Sequence, residues 1–245
     1  MTITFRGTTA VLLPGTGSDD DYVYRAFAGP LHAVGAVVTT PPPQPARLVA
    51  SYLEALDNAA RQGPIIVGGV SIGAAVTTAW ALAHPSHAVA VLVALPAWTG
   101  AAPSAPAALS ARHTAHQLRT AGLVATTAQM RASSPAWLAD ELTRSWLGQW
   151  PELPDAMEEA ASYVAPNITD LERLSVPMGV VGAVDDPIHP LEVALEWVSA
   201  APRAALRTVS LDDFGPDPSV LGAACLAALD EASGFGGLQR SNPGV

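Results

Sequence analysis

Apolar positions along the chain follow two rhythms. Short, largely apolar runs occur at Thr8 to Leu13, Ala36 to Thr39, Ile65 to Val70, Ala88 to Leu95 and Pro177 to Gly182, and the βα rhythm places a sixth strand at Ala204 to Leu211. Runs of this length, closed by Gly or Pro, suit strands buried on both faces. Between them lie stretches with helical spacing, such as Pro45 to Gln62, where Leu48, Val49, Tyr52, Leu53 and Leu56 share one face. Further helices are predicted over Asp20 to Val34, Ile72 to Ala83, Pro190 to Ser199 and Pro218 to Ala232. Strand and helix in regular alternation predict βα units and a parallel sheet.

The alternation lapses after the fourth run. Residues 96 to 174 hold no strand candidate and read as helices broken at Pro135, Pro151, Pro154 and Pro166. The expected architecture is therefore α/β: a doubly wound, mostly parallel sheet built from residues 1–95 and 175–233. A helical cap over residues 96–174 interrupts it, and residues 234–245 read as a frayed tail.

Composition narrows the function classes. At 245 residues and 49% hydrophobic the chain can bury a full core, which argues against disorder and against any need for a staple. One cysteine, Cys225, excludes a disulfide framework and a multi-thiolate metal site. The charge of −10, with no basic stripe, disfavours nucleic acid as a partner. Gln62 to Ala111 carries no Asp, Glu, Lys or Arg, but Gly and Pro cut it into pieces shorter than the ~20 residues a bilayer asks for. The opening stretch lacks the n-, h- and cleavage regions of a signal peptide, so a cytoplasmic protein is expected, with neither membrane nor cofactor. Oligomeric state is not legible.

The strongest chemical signal is Gly69-Val70-Ser71-Ile72-Gly73, a G-x-S-x-G between an apolar strand and an Ala-rich helix. In that context the motif presents a serine on a sharp turn above the sheet, with the helix N-terminus beneath it. The second is Leu13-Pro14-Gly15-Thr16-Gly17, directly after the first strand. On these motifs the chain resembles the cap-bearing esterase, lipase and epoxide-hydrolase-like branch of the α/β-hydrolase superfamily, from Thr8 to about Ala232.

The resemblance implies a serine hydrolase with Ser71 as nucleophile and the N–H groups of Thr16 and Ile72 as oxyanion hole. Pro14 stands where the family usually has a histidine. The acid falls in Gly182-Ala183-Val184-Asp185-Asp186-Pro187-Ile188-His189-Pro190, where Asp186 is preferred to Asp185 on its spacing to Pro190. Trp98 lies where family pockets begin. Trp137, Trp146 and Trp150 either line a lid or form the cap's own core.

One part of the family pattern is missing. The loop after the last strand normally carries the base histidine, and here it reads Asp212-Asp213-Phe214-Gly215-Pro216-Asp217-Pro218. His189, His113 and His116 are the candidates to replace it. The expectation is nonetheless that none lies within ~3.5 Å of Ser71 Oγ, the limit of a direct hydrogen bond. Two functions follow. One is a serine hydrolase with an incomplete or atypical triad, acting on an ester, thioester or other acyl bond of a small apolar substrate. The other is a non-hydrolytic binding protein, lyase or isomerase using the same pocket. Asp19-Asp20-Asp21 reads as favourable charge on a helix's first turn, and no metal site is expected.

Overall fold

The computed structural model describes residues 3–101 and 103–238. Its strands are β1 (Thr9–Leu13), β2 (Val37–Thr39), β3 (Ile65–Val70), β4 (Ala88–Ala94), β5 (Met178–Ala183) and β6 (Ala204–Val209). They form one sheet in the order β2-β1-β3-β4-β5-β6, with every pair parallel. The helices of the α/β part are α1 (Asp20–Ala33), α2 (Leu48–Ala60), α3 (Ile72–Ala83), α8 (Leu191–Ala200), the short α9 (Leu211–Phe214) and α10 (Ser219–Leu238). Between β4 and β5 stand α4 (Pro106–Ser133), α5 (Ala136–Gln149), α6 (Leu153–Ser162) and the single turn α7 (Ile168–Leu171).

The period of two along each strand splits the core into two layers. Val11 and Leu13 of β1 join Leu48, Tyr52 and Leu56 of α2, Val76 and Trp80 of α3 and Trp197 of α8 on one face. Their neighbours Ala10 and Leu12 face the other way, against Val23, Phe27 and Leu31 of α1 and Leu221 and Leu229 of α10. Strands flanked by helices on both sides have no wet face, which is why β3 and β5 are buried at every position.

The chain steps outward from β1 to β2, then returns to β3 and continues the other way. Ligands of open α/β sheets bind beyond the strand C-termini where that direction reverses, here between β1 and β3. The Pro14–Gly17 loop and Ser71 both leave the sheet at that edge.

Several boundaries differ from the sequence reading. Pro154 does not break a helix; it sits in the first turn of α6, where the missing N–H costs nothing. Gly122 bends α4 with φ +81, a conformation glycine reaches without strain, and nothing lies within 4 Å of a Cβ placed there. The loop after β6 contains the helical turn α9, closed by a Ser210–Asp213 capping box. Helix α10 continues to Leu238, into the stretch from residue 234 that the sequence reading takes as a tail, and residues 239–245 of that tail lie outside the described residues. Among the described residues, no helix is long and apolar enough to cross a membrane.

Candidate active site

Ser71 links β3 to α3 with φ +55 and ψ −116, a strained conformation for a residue with a side chain. Its N–H donates to Ala94 O of β4 at 2.9 Å, and Ser71 as a whole is 8% exposed. The glycines of G-x-S-x-G have a visible steric cause. A Cβ on Gly69 or on Gly73 would run into Leu13 O, and one on Gly73 would also lie 2.8 Å from Pro14 O. Helix α3 therefore starts in contact with the end of β1, and only glycine permits that approach. A Gly73→Ala variant is expected to lose roughly 2–3 kcal/mol through overpacking against backbone that cannot move aside. Urea unfolding measures the loss, and it should appear as a lower midpoint at unchanged slope.

The same contact brings the β1 loop to Ser71. A Cβ on Gly15 would stand 3.5 Å from Ser71 Cβ, and buried Tyr52 donates from its hydroxyl to Pro14 O at 3.3 Å. Thr16 N–H has no partner among the described residues. Ile72 is the first residue of α3, so its N–H has no carbonyl one turn earlier within the helix. Ile72 follows Ser71 directly in the chain, and Thr16 lines the same cavity as Ser71.

Asp186 and His189 occupy one turn between β5 and α8. Asp186 Oδ1 accepts the Ile188 N–H at 2.8 Å and the His189 N–H at 3.3 Å, which folds the turn. Asp186 Oδ2 lies 2.7 Å from His189 Nδ1, and His189 Nε2 lies 3.1 Å from Ser71 Oγ. The expectation that no histidine would come within reach of Ser71 is therefore overturned. The sheet order explains it. Only β4 separates β3 from β5, so the two loops start about 10 Å apart. A turn that bends back over the sheet edge, plus an imidazole, bridges that gap.

Burial alone would raise the Asp186 pKa. The hydrogen bond and charge of His189 and the two backbone N–H groups outweigh it and hold the carboxyl below its ordinary value. A carboxylate at Nδ1 keeps that nitrogen as the donor, leaving Nε2 to accept the Ser71 hydroxyl proton. Asp185 is engaged elsewhere: its Oδ1 accepts the Leu211 N–H at 2.8 Å, tying the β5 loop to α9.

The remaining histidines stay apart from Ser71. His113, on α4, lines the same cavity without bonding to Ser71, and His116 does not line it. His84 stacks on Trp80 at 4.6 Å, while His32 and His87 are exposed.

The cavity over Ser71 measures about 640 Å³. Its floor is Gly15, Thr16, Ser71 and Leu95, and its roof includes Met130 of α4 and Leu138, Leu142 and Trp146 of α5. Trp98 forms part of the wall and donates from Nε1 to Tyr163 O at 3.2 Å. Trp146 is in the roof and is also buried among Ala115, Leu118, Leu153 and Met157. Trp137 packs edge-on against Phe214 at 5.4 Å, beside the loop in which the resembling family keeps its histidine. Among the described residues no arginine lines the cavity, and the chain has no lysine. Its charged walls are Asp19, Glu141 and Asp186. No group of three or more metal-ligating side chains occurs among the described residues.

No family model matches the chain, and no curated protein matches it. Solved structures do. MenH from S. aureus superposes with a TM-score of 0.71 at 16% identity, over 95% of this chain and 97% of that one. A thermophilic esterase from Thermogutta terrifontis, with malate bound, gives 0.67 at 18%, over 90% and 89%. The enol-lactonase from Burkholderia xenovorans LB400 gives 0.62 at 17%, over 94% and 89%. The chain has the α/β-hydrolase fold.

Within the α/β-hydrolase fold, the sequence located the serine turn, the β1 loop and the preferred aspartate. It did not anticipate three residues on which the site leans. Phe214 fills the space after β6, Tyr22 lines the cavity wall, and Gln149 reaches the β1 loop from α5. Nothing in a single sequence marks a glutamine near a helix end as a buried contact.

Proposed function

We propose that the protein is a serine hydrolase cleaving an ester, thioester or other acyl bond of a small, neutral, largely apolar substrate. The observation that carries this reading is the continuous chain Asp186 Oδ2–His189 Nδ1 at 2.7 Å and His189 Nε2–Ser71 Oγ at 3.1 Å. Ser71 Oγ attacks the carbonyl carbon while His189 Nε2 takes its proton. The carbonyl electron pair moves onto oxygen, and the Thr16 and Ile72 amides stabilise the oxyanion. Collapse expels the leaving group, protonated by His189, and leaves an acyl-serine. Water, deprotonated by the same imidazole, then releases the acid and restores Ser71.

Asp186 keeps His189 in the working tautomer and offsets the charge it acquires. The non-hydrolytic reading rested on a missing base, and His189 supplies one. Helices α4 to α6 act as a cap that excludes water, with Trp98 as a wall of the acyl pocket. The single buried Cys225 asks for no oxidising compartment, which supports a cytoplasmic setting.

Substrate charge follows from the lining. The lining carboxylates are already engaged, Asp19 and Glu141 by Arg144 and Arg25 and Asp186 by His189, and among the described residues no arginine itself lines the cavity. A free carboxylate on the substrate would therefore lose water without gaining a cation of its own. Neutral aryl esters should therefore be turned over in preference to esters carrying a carboxylate, by about tenfold or more in kcat/KM. Fluorophosphonate labelling is the direct test. Rapid modification of Ser71, absent in Ser71→Ala and slow in His189→Ala, supports the reading. An unreactive wild-type serine overturns it.

A further inference from the structure

The β1 loop is gripped from two sides, and only one of them is the sheet. Pro14 and Gly15 are held by the core, through the Tyr52 hydroxyl and the contact with Ser71. Ser18 and Asp19 are held by α5. Gln149 Nε2 donates to Ser18 O at 2.9 Å and to Ser145 Oγ at 2.7 Å, and Gln149 is only 6% exposed. Arg144 donates to Asp19 Oδ2 at 3.2 Å, and Asp19 in turn caps α1 by accepting the Tyr22 N–H at 2.9 Å. Between the two grips stand Thr16, with its unengaged N–H, and Gly17, whose φ is +70. A Cβ on Gly17 would lie 2.8 Å from Trp146 Nε1, so α5 also rests on the loop at this point.

We infer that α5 completes the oxyanion hole, with Gln149 as a positioning residue that fixes the direction of the Thr16 amide. The inference rests on the serine-hydrolase reading above. A peptide plane is set by the residues on either side of it. The peptide that carries the Thr16 N–H also carries Gly15 O, which accepts the Ser18 N–H at 3.1 Å, and Ser18 O is in turn bonded to Gln149, so the grip of α5 reaches that plane through the Gly15–Ser18 turn. Both N–H donors of the Gln149 amide are used, as burial of an amide requires. The bond spans 131 residues of sequence and joins the roof of the cavity to the loop on its floor. A docked roof and an aimed oxyanion donor are then one event, so full transition-state stabilisation is available only with α5 in place.

The test is steady-state kinetics of the full chain on a neutral p-nitrophenyl ester, with kcat taken per active site titrated. Gln149→Met keeps length and packing and removes the donor. It should lower kcat by about tenfold while KM changes less than about twofold. Inhibition by a boronic acid, whose tetrahedral adduct places an oxygen in the hole, should weaken by about the same factor. A purely structural role would lower the thermal midpoint or the titre, but not kcat per site. Gln149→Asn, too short to reach Ser18 O, carries the test if the methionine variant does not fold. Unchanged kcat and boronate inhibition in a folded variant overturn the inference. Wild-type turnover that survives in Ser71→Ala would instead defeat the hydrolase reading, so the two failures are separable.

Discussion

Replacing His189 by Ala lowers kcat/KM on an activated neutral ester by about a thousandfold or more, the scale on which serine hydrolases lose activity without their base. The residual rate is carried by the two amides and by binding. His189 Nε2 is 3.1 Å from Ser71 Oγ, and no other titratable ring is bonded to that hydroxyl among the described residues. The variant also changes the shape of the pH profile. A neutral imidazole must accept the serine proton, so wild-type activity climbs with pH along an acid limb. That climb disappears in His189→Ala. Loss of rate with the acid limb intact would show that the base is another group. Stopped-flow acylation across pH separates the two.

Asp186→Asn should cost about 10³- to 10⁴-fold in kcat at little cost in folding near neutral pH. The asparagine carbonyl can still accept the Ile188 and His189 N–H groups that shape the turn. Its amide, however, donates toward His189 Nδ1, which favours the tautomer with the proton on Nε2. That nitrogen then cannot accept from Ser71. The same residue makes a signed prediction about stability. The folded pKa of Asp186 is depressed, so its carboxylate contributes stability above the unfolded carboxyl pKa of about 3.9 and loses it as pH falls through the folded value. Wild type should therefore lose thermal midpoint faster than Asp186→Asn below about pH 4, and the gap between them should narrow. A gap independent of pH would mean that the charge of Asp186 does not act on folding. Scanning calorimetry of both proteins at matched pH values decides it.

The parts that were legible in the sequence are those governed by local periodicity and by backbone chemistry. Apolar runs located β1, β3, β4 and β5, because a strand buried on both faces has no reason to alternate, whereas the edge strands β2 and β6 carry exposed positions and were placed by a proline stop and by the βα rhythm. Gly69 and Gly73 marked the serine turn because a tight backbone approach leaves no other choice. Asp186 could be preferred over Asp185 from its spacing to Pro190, and the two carboxylates do part company, one to His189 and one to Leu211. What failed was the reach of His189. Sequence spacing showed that acid and histidine share a turn, but not that the turn bends back across the end of β4 toward Ser71. That depends on strand order, a non-local property. The grip of Gln149 on Ser18 was illegible for the same reason, since the contact joins elements that only the folded sheet brings together.

Asp186 and His189 are three residues apart, so the acid and base of the proposed mechanism are inherited as a single word of sequence. Recombination, or a loop exchange downstream of α8, cannot pass on one without the other. The segment after β6, where the resembling family keeps its histidine, carries Phe214 against Trp137 instead. It is thereby released from chemistry. Changes at Leu211 and Phe214, which line the cavity, can remodel it without altering the Asp186–His189–Ser71 contacts. On the proposed mechanism, the segment after β6 and the Asp186–His189 pair are written in separate places, and one can drift while the other stays fixed.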